Sequence, residues 1–115
     1  MNEPYGELKP ENILLDEKAR VYLTGYRGPT KNLINETLEY SAPELLKGES
    51  KSKLSDYWSL GVFLYEILVG VPPFYYENNE KIMIQLILEG KIFFPKFLSI
   101  SEPAKDLIVK LLQTN

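Results

Sequence analysis

The chain has 115 residues, 44% hydrophobic and 25% charged, which suits one globular domain of ordinary soluble composition. Thirteen basic residues against sixteen acidic ones leave a formal charge of −3 with no basic stripe, so nucleic acid is not an expected partner. The absence of cysteine and histidine excludes disulfides, thiolate nucleophiles, serine–histidine triads and zinc sites built on either residue, leaving carboxylates, lysine, hydroxyls and amides for any chemistry.

The chain begins without a basic-then-apolar signal pattern, and its longest apolar run, residues 60–69, is too short to cross a bilayer. A cytoplasmic location and no membrane partner are the expectation. Ile13-Leu14-Leu15 and Val21-Tyr22-Leu23 are short β-prone runs around a polar stretch, predicting a hairpin. Residues 24–41 mix glycine, proline and polar residues without a period and read as an extended loop. One or two helical turns are expected over 42–46, before Gly48 and a polar linker. Ser55 is the expected N-cap of a helix over 56–69, apolar nearly all round and so expected to be buried on most sides, with Tyr57 and Trp58 in the core. Asn79 predicts the start of a helix ending before Gly90, and Ser101 the start of another. In that last helix Ala104, Leu107, Ile108, Leu111 and Leu112 form an amphipathic stripe. The expected fold class is therefore mainly α with a small β-hairpin.

Leu8-Lys9-Pro10-Glu11-Asn12, then Ala42-Pro43-Glu44, then Asp56-Tyr57-Trp58-Ser59-Leu60-Gly61 and Pro72-Pro73-Phe74 follow one another in an order and spacing that resemble a serine/threonine protein kinase. The resemblance runs over residues 8–114. It implies a kinase-like large, C-terminal lobe truncated at both ends, with residues 1–7 an N-terminal remnant and 8–115 the partial lobe. The 70–75 turn, Phe94-Pro95 and residues 104–107 look most like the AGC group.

Kinases transfer phosphate by positioning and charge neutralisation, and the resemblance assigns those roles by position. Glu7 falls where the family has its catalytic aspartate, with Tyr5-Gly6 in place of the usual His-Arg. Lys9 matches the lysine that contacts the transferring phosphate, and Thr37 the threonine that closes the catalytic loop. Asn12 matches a magnesium ligand, but Gly25 stands where the family has its principal magnesium-binding aspartate, in Thr24-Gly25-Tyr26-Arg27. Leu14 matches the floor under the adenine ring, resting on Phe63 and Ile67. Glu11 and Glu66 match an acidic pair that receives a substrate arginine in basic-directed kinases. Asp56 matches an aspartate that hydrogen-bonds the catalytic-loop backbone, and Glu44 a buried glutamate whose usual arginine partner would lie beyond residue 115.

A glutamate at position 7 displaces its carboxylate by about 1 Å relative to aspartate, enough to cost ~10²-fold in rate. With Gly25 offering no side chain, and with no glycine-rich loop or ATP-clamping lysine among the 115 residues, ATP and magnesium are cofactors by resemblance only and tight binding is not expected. The leading expectation is a catalytically inactive kinase homologue that acts, if at all, by binding a protein partner or basic peptide. The alternatives are a segment of an active kinase whose small lobe is supplied elsewhere, and a non-functional gene remnant.

Overall fold

The computed structural model describes residues 4–6, 8–24 and 38–113. A 3-10 turn over Pro10–Asn12 leads into an antiparallel hairpin, β1 (Ile13–Leu15) and β2 (Val21–Leu23), in register Ile13 with Leu23 and Leu15 with Val21. Asp16 closes the hairpin turn, its carboxylate accepting from the backbone N–H groups of Lys18 and Arg20 and from the Arg20 Nε at 2.6 Å. The Arg20 backbone N–H, followed by the Arg20 side chain, holds the Asp16 carboxyl below the usual carboxylate range.

A second 3-10 turn, Leu38–Tyr40, occupies the end of the segment expected to be loop throughout. It precedes the four helices α1 (Pro43–Leu46), α2 (Lys53–Val69), α3 (Glu80–Glu89) and α4 (Glu102–Leu111). The fold is mainly helical with one small hairpin, as the sequence pattern predicts.

Three expectations need correction. The N-cap of α2 is Ser52 rather than Ser55, and the helix starts three residues earlier than the apolar run. Ser52 accepts from the Ser55 N–H, while the Ser55 hydroxyl accepts from the Ser52 N–H at 2.8 Å. This is a capping box in which serine fills the role usually given to Glu or Gln at that position. Second, α2 is not buried on most sides. Ser55, Trp58, Gly61, Val62 and Tyr65 form its buried face, whereas Leu54, Tyr57, Ile67 and Leu68 are exposed. Tyr57 is thus a surface residue, while Trp58 lies in the core, stacked on Phe74 with ring centroids 5.6 Å apart. Third, the stripe on α4 is narrower than its spacing suggests, because Ile108 and Leu112 are buried but Leu107 is half exposed.

The core gathers Tyr40, Ala42, Leu45, Trp58, Val62, Tyr65, Phe74, Ile87, Ile108 and Leu112 from the second 3-10 turn, the helices α1 to α4 with two of their caps, and the segment between α2 and α3. Asn79 and Ser101 cap α3 and α4 as expected, accepting from the N–H groups of Ile82 and Ala104. Helix α4 crosses α2 at Gly61, where an added Cβ would lie 2.9 Å from Leu111 Cβ and 2.9 Å from Leu112 Cγ and Cδ2.

Candidate functional site

One face of α2 organises the site. At 3.6 residues per turn, positions 56, 59 and 66 lie within about a quarter of the helix circumference, and each holds a different piece of chain. Asp56 accepts from two consecutive backbone amides, Tyr5 N at 2.5 Å and Gly6 N at 2.9 Å. Ser59 donates to the Tyr40 carbonyl at 2.8 Å. Glu66 accepts from the Tyr40 hydroxyl. Tyr40 is therefore strapped along two turns of α2, its main chain at one end and its phenol at the other.

The 5–6 peptide is held from a second side as well. Lys51, only 5% exposed, donates from Nζ to the Gly6 carbonyl at 2.8 Å. Gly6 has φ of 86°, a left-handed conformation that costs glycine little and that L side chains avoid. Asp56 and Lys51 thus fix the residue immediately before Glu7. Lys51 was not singled out by sequence reasoning, since a lysine in a polar linker looks like solvated surface until its burial is seen.

The hairpin joins the other two parts of the site. The Asn12 carbonyl accepts from the Thr24 N–H at 2.8 Å, continuing the β1–β2 pairing by one step. This places Asn12 beside the residue that precedes Gly25. Lys9 stands three residues before Asn12, and its carbonyl accepts from the Asn12 N–H at 2.9 Å, closing the first 3-10 turn. Lys9 and Asn12 are half-buried and Glu11 is exposed. Glu7, Gly25 and Thr37 lie outside the described residues, as do Tyr26 and Arg27. Leu14 is 52% exposed and Ile67 60% exposed, so the expected adenine floor is an open surface rather than a packed one.

Charge gathers around Tyr40. Burial, the hydrogen bond to Glu66, and the negative charges of Glu66, Glu11 and Glu39 together push the Tyr40 phenol above its ordinary pKa of 10.0. Three carboxylates therefore act on one buried hydroxyl, and the phenol stays a neutral donor to Glu66 throughout the physiological range. Glu39 and Tyr40 were missed at the sequence level. Glu66 and Tyr40 are 26 residues apart, so no local spacing could pair them. Glu44 is half-buried on α1 and lines a groove of about 800 Å³ with Tyr57, Leu88 and Lys110.

Asn12 offers a neutral amide oxygen and position 25 has no side chain. Among the described residues no group of three or more carboxylates could hold a metal ion. A hard divalent cation needs anionic oxygens to offset its dehydration, and one amide is a poor substitute. Among the described residues, no helix is long and apolar enough to cross a membrane.

Residues 4–115 match the protein kinase domain family. The chain is 43% identical over 119 residues to serine/threonine-protein kinase gad8 of Schizosaccharomyces pombe, covering 96% of this chain and 20% of that protein. It is 43% identical over 114 residues to the cAMP-dependent protein kinase catalytic subunit PRKX of Homo sapiens, covering 94% of this chain and 31% of PRKX. Serine/threonine-protein kinase YPK2/YKR2 of Saccharomyces cerevisiae is 39% identical over 116 residues, covering 94% of this chain and 17% of that kinase. The chain thus spans less than a third of the length of these curated relatives.

Proposed function

This chain belongs to the protein kinase domain family, and on that premise we propose that it is a large-lobe portion of an AGC-like serine/threonine kinase. As these 115 residues it binds a basic peptide without transferring phosphate to it. The observation that carries the binding half is the Glu66 carboxylate on α2, held by the hydroxyl of the buried Tyr40. Glu66 is half-buried and already oriented by the Tyr40 hydroxyl, so an arriving guanidinium meets a fixed carboxylate. Charge-assisted bonds of that kind contribute about 1.5–3 kcal/mol each.

The inactive half rests on residue chemistry. ATP and magnesium are the cofactors the family implies, yet Gly25 removes the carboxylate that would neutralise the β- and γ-phosphates, and Glu7 misplaces the base position. The retained Lys9 and Asn12 cannot substitute for either. A cytoplasmic setting is part of the same reading, supported by the kinase family and the lack of cysteine.

A second reading is favoured by one specific finding. Because the chain covers only 17–31% of its relatives, it can be one segment of a longer, active kinase. The inactive assignment of these 115 residues is tested in a phosphate-transfer assay with purified 115-residue chain, radiolabelled ATP, magnesium and an arginine-rich acceptor peptide. No transfer above background is expected. Magnesium-dependent transfer abolished by Lys9→Ala and by Asn12→Ala would overturn the inactive assignment.

A further inference from the structure

The loop between α3 and α4 displays Phe93 and Phe97, 82% and 86% exposed, the two most solvent-facing of the exposed large hydrophobic residues described. Their exposure is built in by the backbone. Tyr65, a core residue of α2, donates its hydroxyl to the Phe93 carbonyl, and its ring meets Phe94 at 5.5 Å between centroids. Lys105 Nζ lies 5.9 Å from the Phe94 centroid on the same ring. Ile92 and Phe94 pack against the core, so Phe93 between them is turned outward by the alternation of an extended chain. Two residues later a turn closes with Leu98 N donating to the Pro95 carbonyl at 3.2 Å, which puts Lys96 and Phe97 at its tip.

The charge of this loop opposes that of the whole chain. Residues 90–101 contain Lys91 and Lys96 and no carboxylate, in a protein of net charge −3. The acidic groups nearest in sequence are Glu89 and Glu102, which flank the loop. Glu102 pairs with Lys105 at 3.5 Å, and Asp106 further along α4 pairs with Lys110 at 3.0 Å.

We propose that the 91–97 loop is a peripheral docking tip for an anionic lipid surface, with Phe93 and Phe97 entering the headgroup boundary and Lys91 and Lys96 facing lipid phosphates and carboxylates. An exposed loop in which two lysines alternate with two solvent-facing aromatic rings, in the order Lys91, Phe93, Lys96, Phe97, suits a soft, negatively charged plane. This departs from the sequence expectation of no membrane partner, which rests on the lack of a spanning segment; a surface contact needs none. The inference is independent of the acidic cluster around Tyr40.

The test is co-sedimentation of the 115-residue chain with phosphatidylcholine vesicles containing about a third phosphatidylserine, against vesicles of phosphatidylcholine alone. Binding to the anionic vesicles is expected, weakened about tenfold or more by the F93S/F97S pair. The K91Q/K96Q pair should weaken it by about 25-fold at low salt, at roughly fivefold per lysine. All four side chains are exposed, so unchanged far-UV circular dichroism is expected to show that the variants fold. Equal binding of wild type and F93S/F97S, or no preference for anionic vesicles, would overturn the proposal. Self-association in solution that F93S/F97S removes, without vesicle binding, would overturn it in favour of a protein contact.

Discussion

Replacing Gly61 with valine is expected to destabilise the chain by about 3 kcal/mol, the upper end of what overpacking a close core contact costs. An added Cβ would meet Leu111 Cβ and Leu112 Cγ at 2.9 Å. Leu111 Cβ is fixed to the α4 backbone, and Leu112 is 2% exposed, so neither atom can swing aside without moving the helix. Alanine at the same place separates two opposing effects. In an open helix it would add about 1 kcal/mol through propensity. Here the clash dominates and the Gly61→Ala variant also falls below wild type, by less than valine. A urea titration that reads the midpoint at constant slope checks both, and an unchanged or raised midpoint for Gly61→Ala would show that α4 yields easily at this crossing.

Removing the Asp56 carboxylate carries a comparable cost for a different reason. Two backbone amides, Tyr5 and Gly6, give their hydrogen bonds to that one side chain across about fifty residues of sequence. At about 1.5–3 kcal/mol per bond to a charged group, discounted for partial exposure, Asp56→Ala should lose about 3 kcal/mol, a fall of roughly 10 °C in Tm. Amide exchange at Tyr5 and Gly6 should rise well beyond what global destabilisation explains, because both amides then lose the acceptor Asp56 gives them, while Lys51 still holds the Gly6 carbonyl. Exchange that stays tied to the global unfolding free energy would mean that the peptide is held by other contacts.

How much of this was legible in the sequence depends on the range of the interaction. Strand boundaries, the caps Asn79 and Ser101, and the helix stops at Gly70 and Gly90 rest on neighbours within four residues, and the pattern predicted them. The capping box at Ser52 and Ser55 failed at the same range because serine at the third helical position is ambiguous: it can begin a helix or close a box begun earlier. Burial of α2 was misjudged because a helix with apolar residues on every side does not say which sides find partners. Ile67 and Leu68 are as apolar in sequence as Val62, yet of the three only Val62 is buried in the core. Tyr40 and Lys51 were invisible for a stronger reason: their roles arise from contacts 26 and 45 residues away in sequence. The resemblance placed Glu11, Glu66 and Asp56, and the coordinates add what surrounds them, a donor that orients Glu66 and a second clamp opposite Asp56.

The central claim, a basic-peptide site retained on a fold whose phosphate-transfer chemistry is broken, is tested most directly by calorimetric titration of an arginine-rich peptide into the wild-type chain and into Glu66→Gln. Glutamine keeps an oxygen that can accept from Tyr40, so the strap along α2 persists while the charge is lost. The account predicts measurable binding to the wild type and affinity lower by about tenfold or more in Glu66→Gln. Equal affinity for the two proteins would contradict it.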